Sequence, residues 1–205
     1  MTASPAIEAL LMPQAAESSA EEAAEQQHLR AAQAGDMAAF EWIVRQHEER
    51  LFGFCCRWLR CVEDAREVCQ DAFVRAWQAL PEFEGRARLS TWLYQIALNL
   101  CRDRAKSRSS RQRENTTTIH DLEQPLPCPQ GSPDANAEWQ SEMQKLERGL
   151  ALLPEKLRTA LMLSAMEGLS HEECAKVLNC SIRGTEGRIY RARQMLLQWW
   201  NEESQ

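Results

Sequence analysis

Two helix signals lie almost back to back near the C-terminus, and they limit the fold more than any other feature. The segment "SHEECAKVL" opens on Ser170 with Glu173 three residues on, the pattern of a capping box, and carries Cys174, Ala175, Val177 and Leu178 at helical spacing. "NCS" makes a tight turn. Ser181 can then cap a longer segment, "SIRGTEGRIYRARQML", in which Ile182, Thr185, Ile189, Ala192 and Leu196 recur every three or four residues. A short helix and a long one joined by about three residues have helix-turn-helix spacing, in which the second helix enters the major groove. With Ile182, Thr185, Ile189 and Leu196 turned inward, Arg183, Glu186, Gly187, Tyr190 and Arg191 lie on or beside the outer face. Arginine can bond guanine O6 and N7, and glutamate can accept from cytosine N4. Arg188 and Arg193 are better placed for phosphates, which fix register. Gly184 and Gly187 each weaken a helix by up to about 1 kcal/mol relative to Ala. At a groove-facing surface a missing side chain lets the backbone come close to DNA.

The rest of the chain reads as helix too. Phe40, Ile43, Val44, His47, Leu51, Phe54, Cys55 and Trp58 form an inner stripe after a cap at Asp36, following a short helix over Leu29 to Ala34. A third helix is expected to start at Asp64, capped with Glu67 three residues on, and to end at Pro81. Ser90 or Thr91 caps a fourth, with Leu93, Ile96, Ala97 and Leu100 inward. After Arg108 the periodicity vanishes into a polar, proline-containing stretch that reads as a linker. Helical spacing resumes near Trp139, and Pro154 opens a further helix. No stretch alternates with period two, so an all-α chain of two small helical domains is expected.

The net charge of −6 hides a layout that matters more than the sum. Residues 1–28 hold five Glu and no Lys or Arg, and read as a mobile acidic tail. Residues 86–113 hold eight basic residues against Asp103 alone, and 114–142 hold six acids and no base. A basic block between acidic ones marks a phosphate-binding surface. Within it, Trp92, Gln95, Asn99, Arg102, Asp103 and Lys106 follow 3-4 spacing on the face opposite Leu93, Ile96 and Leu100. The preceding loop adds Phe83, Arg86 and Arg88. A ring, an amide and cations on one face suit unstacked bases, although a helical Trp is more often core.

Other chemistries have weak support. His171 and Cys174 could share a face, but two ligands do not make a zinc site. No P-loop, G-x-S-x-G or H-E-x-x-H is present, no catalytic acid pair stands out, and no cofactor or metal is expected. Cys55, Cys69, Cys101 and Cys174 sit inside apolar patterns and read as reduced core residues of a cytoplasmic protein. No apolar run is long enough to span a bilayer. A thiol or metal sensor and a dimeric helix-turn-helix regulator acting without a polymerase are the alternative readings.

Three segments carry a family resemblance: "DAREVCQDAFVRAW" (64–77), "FEGRARLSTWLYQIALNLCRDRAKSR" (83–108) and "LPEKLRTALMLSAMEGLSHEECAKVLNCSIRGTEGRIYRARQML" (153–196). Together they resemble the group IV, extracytoplasmic-function sigma factors of bacterial RNA polymerase. The resemblance implies a non-catalytic initiation subunit that makes the polymerase promoter-specific. It divides the chain into the tail (1–28), sigma region 2 (29–108), a linker (109–139) and sigma region 4 (140–201). Region 2 would hold the clamp helices of the polymerase β′ subunit through Asp64, Glu67, Gln70, Asp71 and Arg75. It would read and open the −10 element through Phe83, Arg86, Arg88, Trp92, Asn99, Arg102 and Lys106, the Phe83–Arg88 loop capturing a flipped base above Asn99. Region 4 would touch the β flap and read the −35 element through Arg183, Glu186, Gly187, Arg188, Tyr190, Arg191 and Arg193. An anti-sigma factor, often membrane-bound in this family, is an implied partner. Many members read G-T-V-K-S-R before the terminal R-A-R. This chain has Arg183-Gly184-Thr185-Glu186-Gly187-Arg188, so its −35 sequence cannot be carried over from a relative.

Overall fold

The computed structural model describes residues 19–114 and 137–203. Residues 1–18 and 115–136, which hold much of the expected tail and linker, lie outside the described residues. Every regular element among the described residues is a helix, and they fall into two compact units, one within residues 15–123 and one within 124–205.

The N-terminal unit comprises α1 (Ser19–Gln33), α2 (Met37–Leu59), α3 (Val62–Ala79), a 3-10 turn (Leu80–Glu82) and α4 (Leu89–Glu114). Helices α2, α3 and α4 pack on one another, and α1 lies on α2. Phe54 and Ile43 of α2, Ala65, Val68 and Ala72 of α3, and Leu93, Ala97 and Leu98 of α4 are buried between them. Removing each large apolar side chain from water stabilises the unit by roughly 1.5–3 kcal/mol. Phe54 meets Tyr94 edge-on at 5.3 Å. Asp36 caps α2 as expected, accepting from the Ala38 and Ala39 amides.

Three local expectations are corrected here. Helix α1 begins at Ser19, not Leu29, so residues 19–28 of the expected tail are helical. Its Ala, Glu and Gln are strong helix formers, and α2 holds it: His28 stacks on Trp42 at 4.1 Å, and Glu25 pairs with His47 at 2.9 Å. Asp64 does not cap α3. The helix starts at Val62, Cys61 is the cap residue and makes no side-chain cap bond, and the Asp64 carboxylate is drawn instead to Arg104 and Arg108 of α4. Helix α4 starts at Leu89, before either expected cap, with Thr91 buried, and continues past Arg108 to Glu114.

The C-terminal unit comprises α5 (Ala137–Leu152), α6 (Glu155–Leu161), a π turn (Met162–Met166), α7 (His171–Leu178) and α8 (Ile182–Glu202). Helix α8 packs on α5, α6 and α7. Thr185, Ile189, Ala192, Leu196 and Trp200 form its inner stripe. Ile182, at the first position of the helix, does not join it and is 45% exposed. Gly149 of α5 lies against α8 so closely that a Cβ would stand 2.6 Å from Leu196 Cδ1 and from the Trp199 ring. A residue larger than glycine there would force those side chains to shift.

The capping box at α7 is complete: the Glu173 amide donates to Ser170 Oγ at 3.2 Å, and the Ser170 amide donates to Glu173 Oε2 at 2.8 Å. Ser170→Ala removes one of these bonds and is expected to destabilise the C-terminal unit by about 1 kcal/mol. The shift in its urea-unfolding midpoint, measured on the full chain, checks this.

Candidate nucleic-acid interface

In the C-terminal unit the turn is built by Asn179, which takes a left-handed conformation at φ 48°, and by Ser181, whose Oγ accepts from the Gly184 amide at 3.1 Å. The short polar side chain of asparagine tolerates that conformation. The turn swings α8 across α7 and leaves Arg183, Glu186, Tyr190 and Arg191 exposed. Tyr190 is 65% exposed, a high value for so large an apolar ring. Nothing lies within 4 Å of where a Gly187 Cβ would stand. The glycine is therefore not required by packing within the chain, and it leaves a smooth notch on the outer face. Arg191 Nε donates to the Gly187 carbonyl at 3.0 Å, which points the guanidinium along the same face. Arg188 and Arg193 are half-buried, and Arg193 Nε is shielded from solvent. Sequence reasoning weighed His171 only as a metal ligand beside Cys174, whereas its Nδ1 lies 3.6 Å from Glu186 Oε1. It missed Ile182, which extends the outer face with an apolar side chain.

In the N-terminal unit, α4 separates its two faces. Leu93, Tyr94, Ala97, Leu98 and Cys101 are buried, whereas Asn99, Asp103 and Lys106 are exposed and Trp92, Gln95 and Arg102 half-buried. Trp92 also touches Phe83 of the preceding loop, ring centroids 4.7 Å apart. The loop and the helix thus share an aromatic edge. Arg86 pairs with Glu84 within the loop, and Arg88 pairs with Glu22 of α1. A cavity of ≈ 440 Å³ lies between α1 and the loop, lined by residues including Gln26, Gln33, Gly85 and Arg88. Trp92 and Asn99 do not line it.

On α3, Gln70, Asp71 and Arg75 are exposed. Asp64 and Glu67 bind within the unit: Arg104 Nε donates to Asp64 Oδ1 at 2.8 Å, and Arg104 Nη2 pairs with Glu67. Val74 is 55% exposed on the same face as Gln70, Asp71 and Arg75. It is an apolar residue outside the Val68–Ala72–Ala76 stripe, and that misfit was legible in the sequence.

Two of the buried thiols, Cys69 and Cys174, hold their protons tightly. Burial pushes Cys69 up to about 12, with Cys55, Glu48 and Cys56 adding to it. Burial also pushes Cys174 up to about 12, with Glu173 adding, and its Sγ lies 3.6 Å from the Leu169 carbonyl. Buried Cys174 and exposed His171 do not converge. Among the described residues no three His, Cys, Asp or Glu side chains gather to hold a metal, and no helix is long and apolar enough to cross a membrane. A thiol with that proton affinity is only about 10⁻⁴ thiolate at pH 8. Iodoacetamide at pH 8 is therefore expected to label Cys69 and Cys174 only after denaturation, by peptide mass mapping. Rapid labelling of Cys69 in the folded chain would revive the sensor reading.

A basic, aromatic helix face and a helix-turn-helix on one chain make two candidate nucleic-acid-binding surfaces. Residues 43–111 match the family description sigma-70 region 2, and residues 143–196 match sigma-70, region 4. The chain is 32% identical over 181 residues to the RNA polymerase sigma-H factor of Pseudomonas aeruginosa, covering 84% of this chain and 91% of that one. It is 29% identical over 168 residues to the ECF RNA polymerase sigma-E factor of Escherichia coli (strain K12), covering 80% and 87%. Its fold is similar to that of CnrH in complex with the cytosolic domain of CnrY, with a TM-score of 0.66, 26% identity and coverage of 87% and 98%. The sigma factor RpoE of Bartonella quintana, solved with the anti-sigma factor NepR, shares the fold at a TM-score of 0.63 and 23% identity, over 79% and 96%. The chain belongs to the sigma-70 family, in its extracytoplasmic-function group.

Proposed function

We propose that this protein directs core RNA polymerase to its promoters through separate DNA-binding and polymerase-binding surfaces, and that it has no chemistry of its own. The observation that carries the reading is the pairing, in one chain, of the α4 face with the exposed face of α8. The α8 face (Arg183, Glu186, Gly187, Tyr190, Arg191) reads the −35 major groove, where Arg and Glu discriminate base edges. Arg188 and Arg193 hold its register. The α4 face and its loop (Phe83, Arg86, Arg88, Trp92, Asn99, Arg102, Lys106) receive the −10 strand as it unstacks. The exposed row Gln70, Asp71, Val74 and Arg75 of α3 meets the polymerase β′ clamp, and the C-terminal unit meets the β flap. Asp64 and Glu67 serve this surface indirectly, by anchoring α3 to α4. Of two solved structures of similar fold, one holds the cytosolic domain of CnrY and the other the anti-sigma factor NepR. A comparable anti-sigma factor for this chain follows, with the chain itself acting in the cytoplasm where the polymerase works.

Run-off transcription with purified core polymerase and a randomised promoter library tests this. Discrete transcripts that require the full chain are the expected result. A folded chain that binds DNA but neither joins core polymerase nor yields a transcript would point to a stand-alone regulator.

A further inference from the structure

The loop between α3 and α4 is tied to α1 at both ends, by different chemistry. At its start, Gln33 Nε2 donates to the Leu80 carbonyl at 3.2 Å and to the Phe83 carbonyl at 2.7 Å. One side chain thereby pins two backbone groups, and it carries no charge that DNA could compete for. At its end, Arg88 pairs with the carboxylate of Glu22, near the other end of α1. Both side chains of this pair are 46% exposed, so it is open to water and to other anions. Between the two ties, α1 and the loop line a half-open groove of ≈ 440 Å³. The loop therefore has a fixed end, a releasable end and room to move between them.

A carboxylate and a phosphate oxygen make the same bond to a guanidinium. We propose that Glu22 is a built-in stand-in for a DNA phosphate at Arg88, so that α1 holds the loop until single-stranded DNA displaces it. The inference rests on the reading of Arg88 as a DNA contact. The ligand is the sugar-phosphate backbone of an unpaired strand. The acidic α1 then has a use: it keeps a basic loop from binding polyanions indiscriminately, and a strand enters only by exchanging one anion for another.

The test is anisotropy of a fluorescein-labelled single-stranded DNA of randomised sequence with the full-length chain. Wild type, Glu22→Gln, Arg88→Gln and the double variant are titrated over a range of salt. An exposed ion pair gives up a small but measurable competition. Glu22→Gln is expected to bind about two- to fivefold more tightly at low salt, and the gain to shrink as rising salt screens the ion pair that wild type must break. In the Arg88→Gln background the same substitution is expected to gain nothing. An equal gain in both backgrounds, or none in either, overturns the proposal, because Glu22 would then act as a diffuse charge or not at all. Arg88→Gln binding as tightly as wild type overturns the reading beneath it, since Arg88 would not touch the strand. Circular dichroism of each variant separates these outcomes from misfolding.

Discussion

Asn99→Ala is expected to lower open-complex formation by about tenfold to a hundredfold while leaving core polymerase binding unchanged. The side chain is exposed on the outer face of α4, away from the Leu93–Ala97–Leu98 core. Its removal therefore leaves no cavity, and surface changes of this kind alter stability by no more than about 0.5 kcal/mol. An amide that bonds a base edge is worth roughly 1–3 kcal/mol of discrimination, which sets the size of the loss. Permanganate reactivity of unpaired thymines reads promoter opening, and co-elution with core polymerase reads assembly. Loss of co-elution with opening intact in the residual complex would mean that this face binds protein instead of DNA.

Val74→Glu is expected to weaken core binding about thirtyfold. A side chain that is 55% exposed has little to do for the fold, yet it is the apolar centre of a row otherwise made of Gln70, Asp71 and Arg75. Anchors of that kind, dry at the middle of a polar rim, account for 2 kcal/mol or more when lost, and a carboxylate in their place adds a desolvation cost. Fluorescence titration of labelled chain with core polymerase measures the affinity. Val74→Ile, which keeps the site apolar, should bind as wild type. Unchanged affinity of Val74→Glu would remove α3 from the interface.

The readings that depended on short-range chemistry came through best. The α7 capping box, the Ser181 cap and the period of α8 are all settled within a few residues, and the structure has each in place. Ile182 shows the limit: periodicity assigns it inward, but at the first position of α8 it is exposed. The readings that failed depend on partners far along the chain. Residues 19–28 have helix-forming residues but no apolar stripe, so nothing local separates tail from helix; Trp42 and His47 decide it. Asp64 has the spacing of a cap, and only Arg104, forty residues on, shows where its carboxylate goes. The exposed residues of α4 and α8 were legible because each helix carries its apolar side chains on one face. The Glu22–Arg88 contact was not, since a charge pair across 66 residues leaves no pattern in the sequence.

Arg104 sets a compass bearing. Its guanidinium takes the Asp64 carboxylate through Nε and the Glu67 carboxylate through Nη2, one turn apart on α3, and Arg108 returns to Asp64 at 3.6 Å. Two grips one turn apart oppose twisting of α4 about its own axis as well as sliding. A twist by a single residue would turn every side chain by about 100°, enough to carry Asn99 from the surface into the core. The direction in which the proposed strand-reading face looks is thus referred to the helix that the polymerase would hold.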